Sequence, residues 1–120
     1  MADLDDVRRL ALALPGVAED DRDWGFAVEG RRFVHLWRER VHPKKTKVPN
    51  REVIVLSTAT LDDKDELIAA EDACFTEPHY DGYKAVLVRL PDADEALLSE
   101  LLTDSWRLAA PPRLLASLEE

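Results

Sequence analysis

A single cysteine, Cys74, in a chain of 120 residues cannot close an internal disulfide, so nothing in the sequence calls for an oxidising compartment. A lone thiol of this kind is expected to be buried and inert. Glycine is nearly as scarce: four residues leave little room for a Walker A or Gly-x-Gly-x-x-Gly phosphate loop. None of Ser57, Ser99, Ser105 and Ser117 sits in a Gly-x-Ser-x-Gly elbow. His35, His42 and His79 are scattered, without HExxH or Cys-His spacing, so no zinc signature is present. No apolar run approaches the roughly 20 residues needed to cross a bilayer, and Met1 to Asp6 lack the basic-then-apolar order of a secretion signal. The expectation is a cytoplasmic protein with no membrane contact, no metal and no cofactor, and without a recognisable catalytic constellation.

Cations are also in the minority, and they are unevenly placed. The formal net charge is −9. Between Arg31 and Arg51, however, eight cations face one acid, Glu39, a balance of +7 over 21 residues that leaves −16 on the other 99. Arg38, Arg40, Lys44, Lys45, Lys47 and Arg51 are therefore the candidate contacts for nucleic acid or another polyanion, because clustered Lys and Arg displace phosphate counterions without needing a fixed geometry. The same residues serve equally as a solvated loop that protects a strand edge from pairing with other chains. Trp37 lies beside them in sequence, where an indole either stacks on a base or packs against the rim of a sheet.

Hydrophobic periodicity divides the chain into helices and strands. Leu4, Val7, Leu10, Ala11 and Leu14 recur with helical spacing behind Asp3, a suitable N-cap, and Pro15-Gly16 ends that helix. Trp24 to Val28 and Phe33 to Trp37 flank Glu29-Gly30 as a hairpin. Val53 to Leu56 and Ala85 to Leu90 read as central strands. The join from about Glu39 to Asn50 is long for a hairpin loop. Thr60 with Asp63, and Asp92 with Glu95, mark two helix starts, the second opening the Leu97, Leu98, Leu101, Leu102, Trp106 stripe, and Pro111-Pro112 open a last helix. The fold expected is one α+β domain over residues 1–120, with two layers and a mostly antiparallel sheet of about four strands covered by helices on one face.

Within six residues, Pro78-His79-Tyr80-Asp81-Gly82-Tyr83 collects an imidazole, two phenols and a carboxylate. With Trp106 on the uncovered side of the sheet, His79, Tyr80, Asp81 and Tyr83 form the alternative candidate: a small-ligand or protein-interaction site without catalysis. An Asp-Gly pair is equally a plain turn signal. The acidic run Glu19, Asp20, Asp21, Asp23 matches no calcium loop and is expected to be a solvated connection. Asp62, Asp63, Asp65 and Glu66 read as acids of a helix's first turn.

Leu14-Pro15-Gly16-Val17, Trp24 to Val28, Gly30, Phe33 to Trp37, the Pro78 to Tyr83 segment and Ser105-Trp106 together resemble, in order and spacing, the MmcQ/YjbR family over nearly the whole chain. The resemblance implies a compact α+β fold similar to that of bacterial frataxin, a DNA-binding label, and no established catalytic residues. The frataxin likeness makes iron the metal to consider at the acidic run. The insert His42 to Asn50 departs from the general family pattern. The leading expectation is thus a binding module whose basic loop meets an anionic partner. The oligomeric state stays open, with a monomer favoured over a homodimer.

Overall fold

The computed structural model describes residues 2–20, 23–39 and 46–119. Helix α1 (Leu4–Leu12) begins as its N-cap predicts: the Asp3 carboxylate accepts the Asp6 N–H at 3.0 Å, and the Asp6 carboxylate accepts the Asp3 N–H at 3.1 Å. It stops two residues short of Leu14, because the chain must leave helical geometry ahead of Pro15 and turn at Gly16, whose φ is +72°. Strands β1 (Val17–Glu19), β2 (Gly25–Val28), β3 (Arg31–Glu39) and β4 (Val48–Ser57) follow, then α2 (Leu61–Ala70), β5 (Cys74–Phe75), β6 (Ala85–Arg89), α3 (Glu95–Ala109) and α4 (Pro112–Glu119).

All strand pairs are antiparallel, in the order β1-β2-β3-β4-β6-β5. The sheet therefore has six strands rather than about four. The two extra ones, β1 and β5, span three and two residues, too few for alternation to register in a sequence. Glu29 and Gly30 form the expected tight turn with φ of 51° and 82°, the pair of positive values that matches the twist of a two-residue hairpin. Strand β4 begins five residues before Val53, since Val48, Pro49 and Asn50 pair with Glu39, Arg38 and Trp37. Arg51, Glu52 and Val53 bulge out between the Trp37↔Asn50 and Leu36↔Ile54 pairs. Of the long join predicted from Glu39 to Asn50, Glu39 and Val48 to Asn50 belong to these paired strands, and 40–45 lie outside the described residues.

Alternation along the strands separates two apolar layers. On one face Phe26, Val28, Val34, Leu36, Ile54, Leu56, Val86 and Val88 pack beneath Val7 and Ala11 of α1 and Leu98, Leu101, Leu102 and Trp106 of α3. Each such buried aliphatic side chain contributes about 1.5–3 kcal/mol. Cys74 joins this core as a free thiol, and burial pushes its pKa up to about 11. Helix α3 starts at Asp94, whose carboxylate accepts the Leu97 N–H at 2.7 Å, rather than at Asp92, which closes a short 3₁₀ turn after β6.

Ser105 and Trp106 lock α3 to the rest. The Ser105 hydroxyl donates to the Phe33 carbonyl at 2.9 Å and accepts the Ser57 N–H at 3.1 Å, so one buried side chain ties the helix to β3 and β4. Trp106, wholly buried, donates its indole N–H to the Pro15 carbonyl at 2.9 Å. Replacing Ser105 with Ala leaves a buried carbonyl and a backbone N–H without that partner, and should lower the unfolding free energy by about 1–3 kcal/mol in urea titrations. A loss indistinguishable from that of Ser117→Ala, on the exposed side of α4, would contradict the role.

Candidate functional site

Among the described residues, no α-helix packs on the second sheet face. Val53, Val55 and Leu87 point to this side and are nevertheless buried, because Trp37, Phe75, Tyr80 and Ala85 close over them. Trp37 meets Phe75 edge-on at 6.1 Å between ring centroids, reaching across β4 and β6. The Arg89 guanidinium sits 5.0 Å above the Phe75 ring, and its partner in charge, Asp92, is 3.9 Å away. The result is an aromatic surface with one cation, Arg89, resting on it.

Tyr80 reaches this surface from the turn that the sequence singles out. Pro78–Tyr80 forms a 3₁₀ turn, and the rings of His79, Tyr80 and Tyr83 gather with centroids 4.9 to 6.2 Å apart. The Thr76 hydroxyl donates to the Asp81 carboxylate at 3.1 Å. His79 and Tyr83 remain exposed, Tyr83 at 55%. Burial raises the pKa of the Tyr80 phenol.

The turn is held from behind by Lys64 of α2, only 2% exposed, whose ammonium donates to the carbonyls of both Tyr80 and Tyr83, the second at 3.0 Å. Loss of hydration lowers the Lys64 pKa, and Asp81 and Asp65 oppose that shift. Sequence reading missed this residue because lysine is treated as surface. Its spacing was the available signal: Lys64 lies three and four residues before Leu67 and Ile68, on the inward side of its helix.

Trp106, the fifth member predicted for the aromatic site, belongs to the opposite face: it lies in the helix-covered core and cannot line a site with Tyr80. The periodicity that made it the last member of the leucine stripe already placed it inward.

The basic segment is divided. Arg38 is engaged by Asp23 at 2.7 Å and Arg32 by Asp20 at 3.4 Å, so two acids of the run expected to be merely solvated neutralise two cations. Glu39 accepts from the Asn50 amide at 3.0 Å. Among the described residues Arg31, Lys47 and Arg51 take part in no ion pair, Lys47 being half-buried and the two arginines exposed. Arg40, Lys44, Lys45 and His42 lie outside the described residues. Also among the described residues, no group of three or more His, Cys, Asp or Glu is placed to hold a metal ion. No helix there is long and apolar enough to cross a membrane.

His35 lies on the same face, opposite Gly25 and Val55, with Nδ1 3.0 Å from the Leu36 carbonyl. Burial lowers its pKa below 6.5, helped by Arg32 and opposed by that backbone contact and by Asp23 and Asp20. The folded protein thus resists a proton that the unfolded chain accepts, so the stabilisation is complete above 6.5 and falls away as pH drops through the folded value. Urea midpoints should decline between about pH 7.5 and about pH 5.5. His35→Gln should flatten that decline, and parallel curves would contradict the assignment. Lys64→Met, which keeps the aliphatic stem but strands two carbonyls, should cost about 1–3 kcal/mol and speed amide exchange over residues 78–84. Unchanged exchange there would show that the ammonium does not hold the turn.

Residues 12–108 match the family model YjbR. Among curated proteins, "Uncharacterized protein Rv2570" of Mycobacterium tuberculosis (strain ATCC 25618 / H37Rv) is 36% identical over 124 residues, covering 95% of this chain and 93% of the relative. "Uncharacterized protein Mb2600" of Mycobacterium bovis (strain ATCC BAA-935 / AF2122/97) matches to the same extent. No solved structure matches the chain significantly. The match to the family model spans most of the chain and carries both the turn at His79 to Tyr83 and the hairpin with Trp37, so this protein belongs to the YjbR family.

Proposed function

We propose that this chain is a cytoplasmic binding protein rather than an enzyme, and that it holds single-stranded nucleic acid across its helix-free sheet face. One observation carries the reading: Trp37 is shared. It stands on β3 within the hairpin that bears the basic segment, and it packs with Phe75 and Tyr80 into the aromatic surface. The rings thus neighbour the cation-rich stretch along the chain and Arg89 stands over one of them, a combination suited to tracking a phosphate backbone while bases stack.

Lys47, Arg51 and Arg89 supply cations that the described residues leave free or weakly paired, and the sequence adds Arg40, Lys44 and Lys45 between β3 and β4. Arg38, held by Asp23, contributes less. An aromatic sheet face suits splayed bases better than a closed duplex, whose bases present only their edges. The net charge of −9 confines contact to this zone and makes the affinity strongly salt-dependent.

A second reading has its own support: His79, Tyr80 and Tyr83, pinned by Lys64 and flanked by Asp81, form a ready aromatic cluster for a small planar ligand or a protein partner.

Anisotropy of a labelled strand of about 16 nucleotides should rise with added protein at about 50 mM salt and collapse by about 300 mM. Joint replacement of Lys44, Lys45 and Lys47 by Glu should abolish binding, and Trp37→Leu should weaken it about tenfold, within the 1–3 kcal/mol of one stacked base. Absence of binding by the unaltered protein at the lower salt would overturn the nucleic-acid reading. The second reading would survive that result only if a ligand were found whose affinity falls in His79→Ala and Tyr83→Ala.

A further inference from the structure

The helical layer is incomplete on the other side of the sheet. Helices α2 and α3 stand apart over the end of β4 and the start of β6, leaving an open cavity of about 570 Å³. Its floor is Leu56 and Val86, its walls Leu67 and Ala70 of α2 and Leu101 and Leu108 of α3. Leu108, 46% exposed, presents its side chain to solvent at the mouth. This volume lies in the range of true binding clefts, and its surface is mainly apolar.

The rim is electrically one-sided. Asp63, Glu66 and Glu71 of α2 and its C-terminal cap line it together with Asp104 and Arg107 of α3. Arg107 is 3.5 Å from Asp104 and so is already committed. Asp63, Glu66 and Glu71 have no cation partner among the described residues. Four carboxylates against one guanidinium leave a balance of −3 around an apolar trough.

The floor offers no free backbone edge. Strand β4 is paired on both sides, with β3 and β6, and β6 with β4 and β5, so an extended segment cannot join the sheet there. Recognition must run through side chains, which favours a helix seated between the two walls.

We infer that the trough between α2 and α3 receives an amphipathic helix of a partner protein, with an apolar stripe facing Leu56, Leu67 and Leu108 and Lys or Arg along its flanks. Acids around the trough attract such a segment and repel acidic or phosphorylated ones. This surface lies on the face opposite the proposed nucleic-acid zone, so both can be occupied together.

The test uses the full chain and a labelled synthetic peptide with Leu at i, i+3, i+4 and i+7 and Lys at the remaining positions. A second peptide has the same composition with the leucines dispersed around the helix. Anisotropy should show saturable binding of the first and at least about tenfold weaker binding of the second. Leu108→Gln should weaken the first peptide about tenfold, and Glu66→Lys with Glu71→Lys should do the same. A peptide carrying Glu in place of Lys should then bind the charge-reversed protein and not the original. Folding of each variant is checked by circular dichroism, and Glu52→Lys on β4 controls for bulk charge. Equal binding of both peptides, or indifference to Leu108→Gln in a folded variant, would overturn the inference. So would sedimentation as a dimer that Leu108→Gln dissociates, since a second copy would then fill the trough.

Discussion

Much of the open face depends on one buried ammonium. An amine taken out of water costs several kcal/mol unless its protons find acceptors, and Lys64 finds two in the carbonyls of Tyr80 and Tyr83. The requirement works in both directions. The turn must curl back over α2 to satisfy the lysine, and in doing so it delivers the Tyr80 ring onto Val53, Val55 and Leu87. Asp81, tethered by Thr76, adds a favourable field, which moderates the fall in the lysine's pKa. Without this arrangement the small apolar cluster on the helix-free side would lack one of its covers.

The two faces are finished by different means. Helices α1 and α3 seal one with a broad aliphatic core, tied by Ser105 to both central strands and by Trp106 to the turn at Pro15. The other is closed by a few aromatic side chains from strands and a loop, with Arg89 resting on Phe75. An aromatic lid built this way has ring faces and edges still available, whereas an aliphatic core beneath helices does not. That difference is why a partner with planar groups is sought on one side and a helical partner on the other.

Strongly patterned elements were legible in the sequence. The leucine stripe of α3, the Asp3 cap, the Glu29-Gly30 hairpin and the apolar cores of β4 and β6 all follow from local spacing and turn chemistry. Strands β1 and β5 were not legible, because their pairing is decided by neighbours distant in sequence rather than by their own two or three residues. The start of β4 was hidden for a related reason: Val48-Pro49-Asn50-Arg51-Glu52 is interrupted by a proline, lacks apolar alternation, and owes its extended form to β3. Charge segregation was only half readable. The density of cations is a property of the chain, but the return of Asp20 and Asp23 to Arg32 and Arg38 is a property of the fold. The grouping of His79, Tyr80 and Tyr83 was visible, while Trp106 was assigned to the wrong side because proximity on a sheet depends on facing as well as on position.

The brevity of β1 and β5 carries a consequence for solubility. A protein that leaves rings uncovered on a sheet invites lateral growth, copy beside copy, wherever a flank offers a long row of vacant donors and acceptors. Here the outermost ribbons present three residues and two, so each flank affords only a foothold for a foreign backbone. The molecule can thereby keep a sticky surface for recognition while giving fibrils almost nothing to extend.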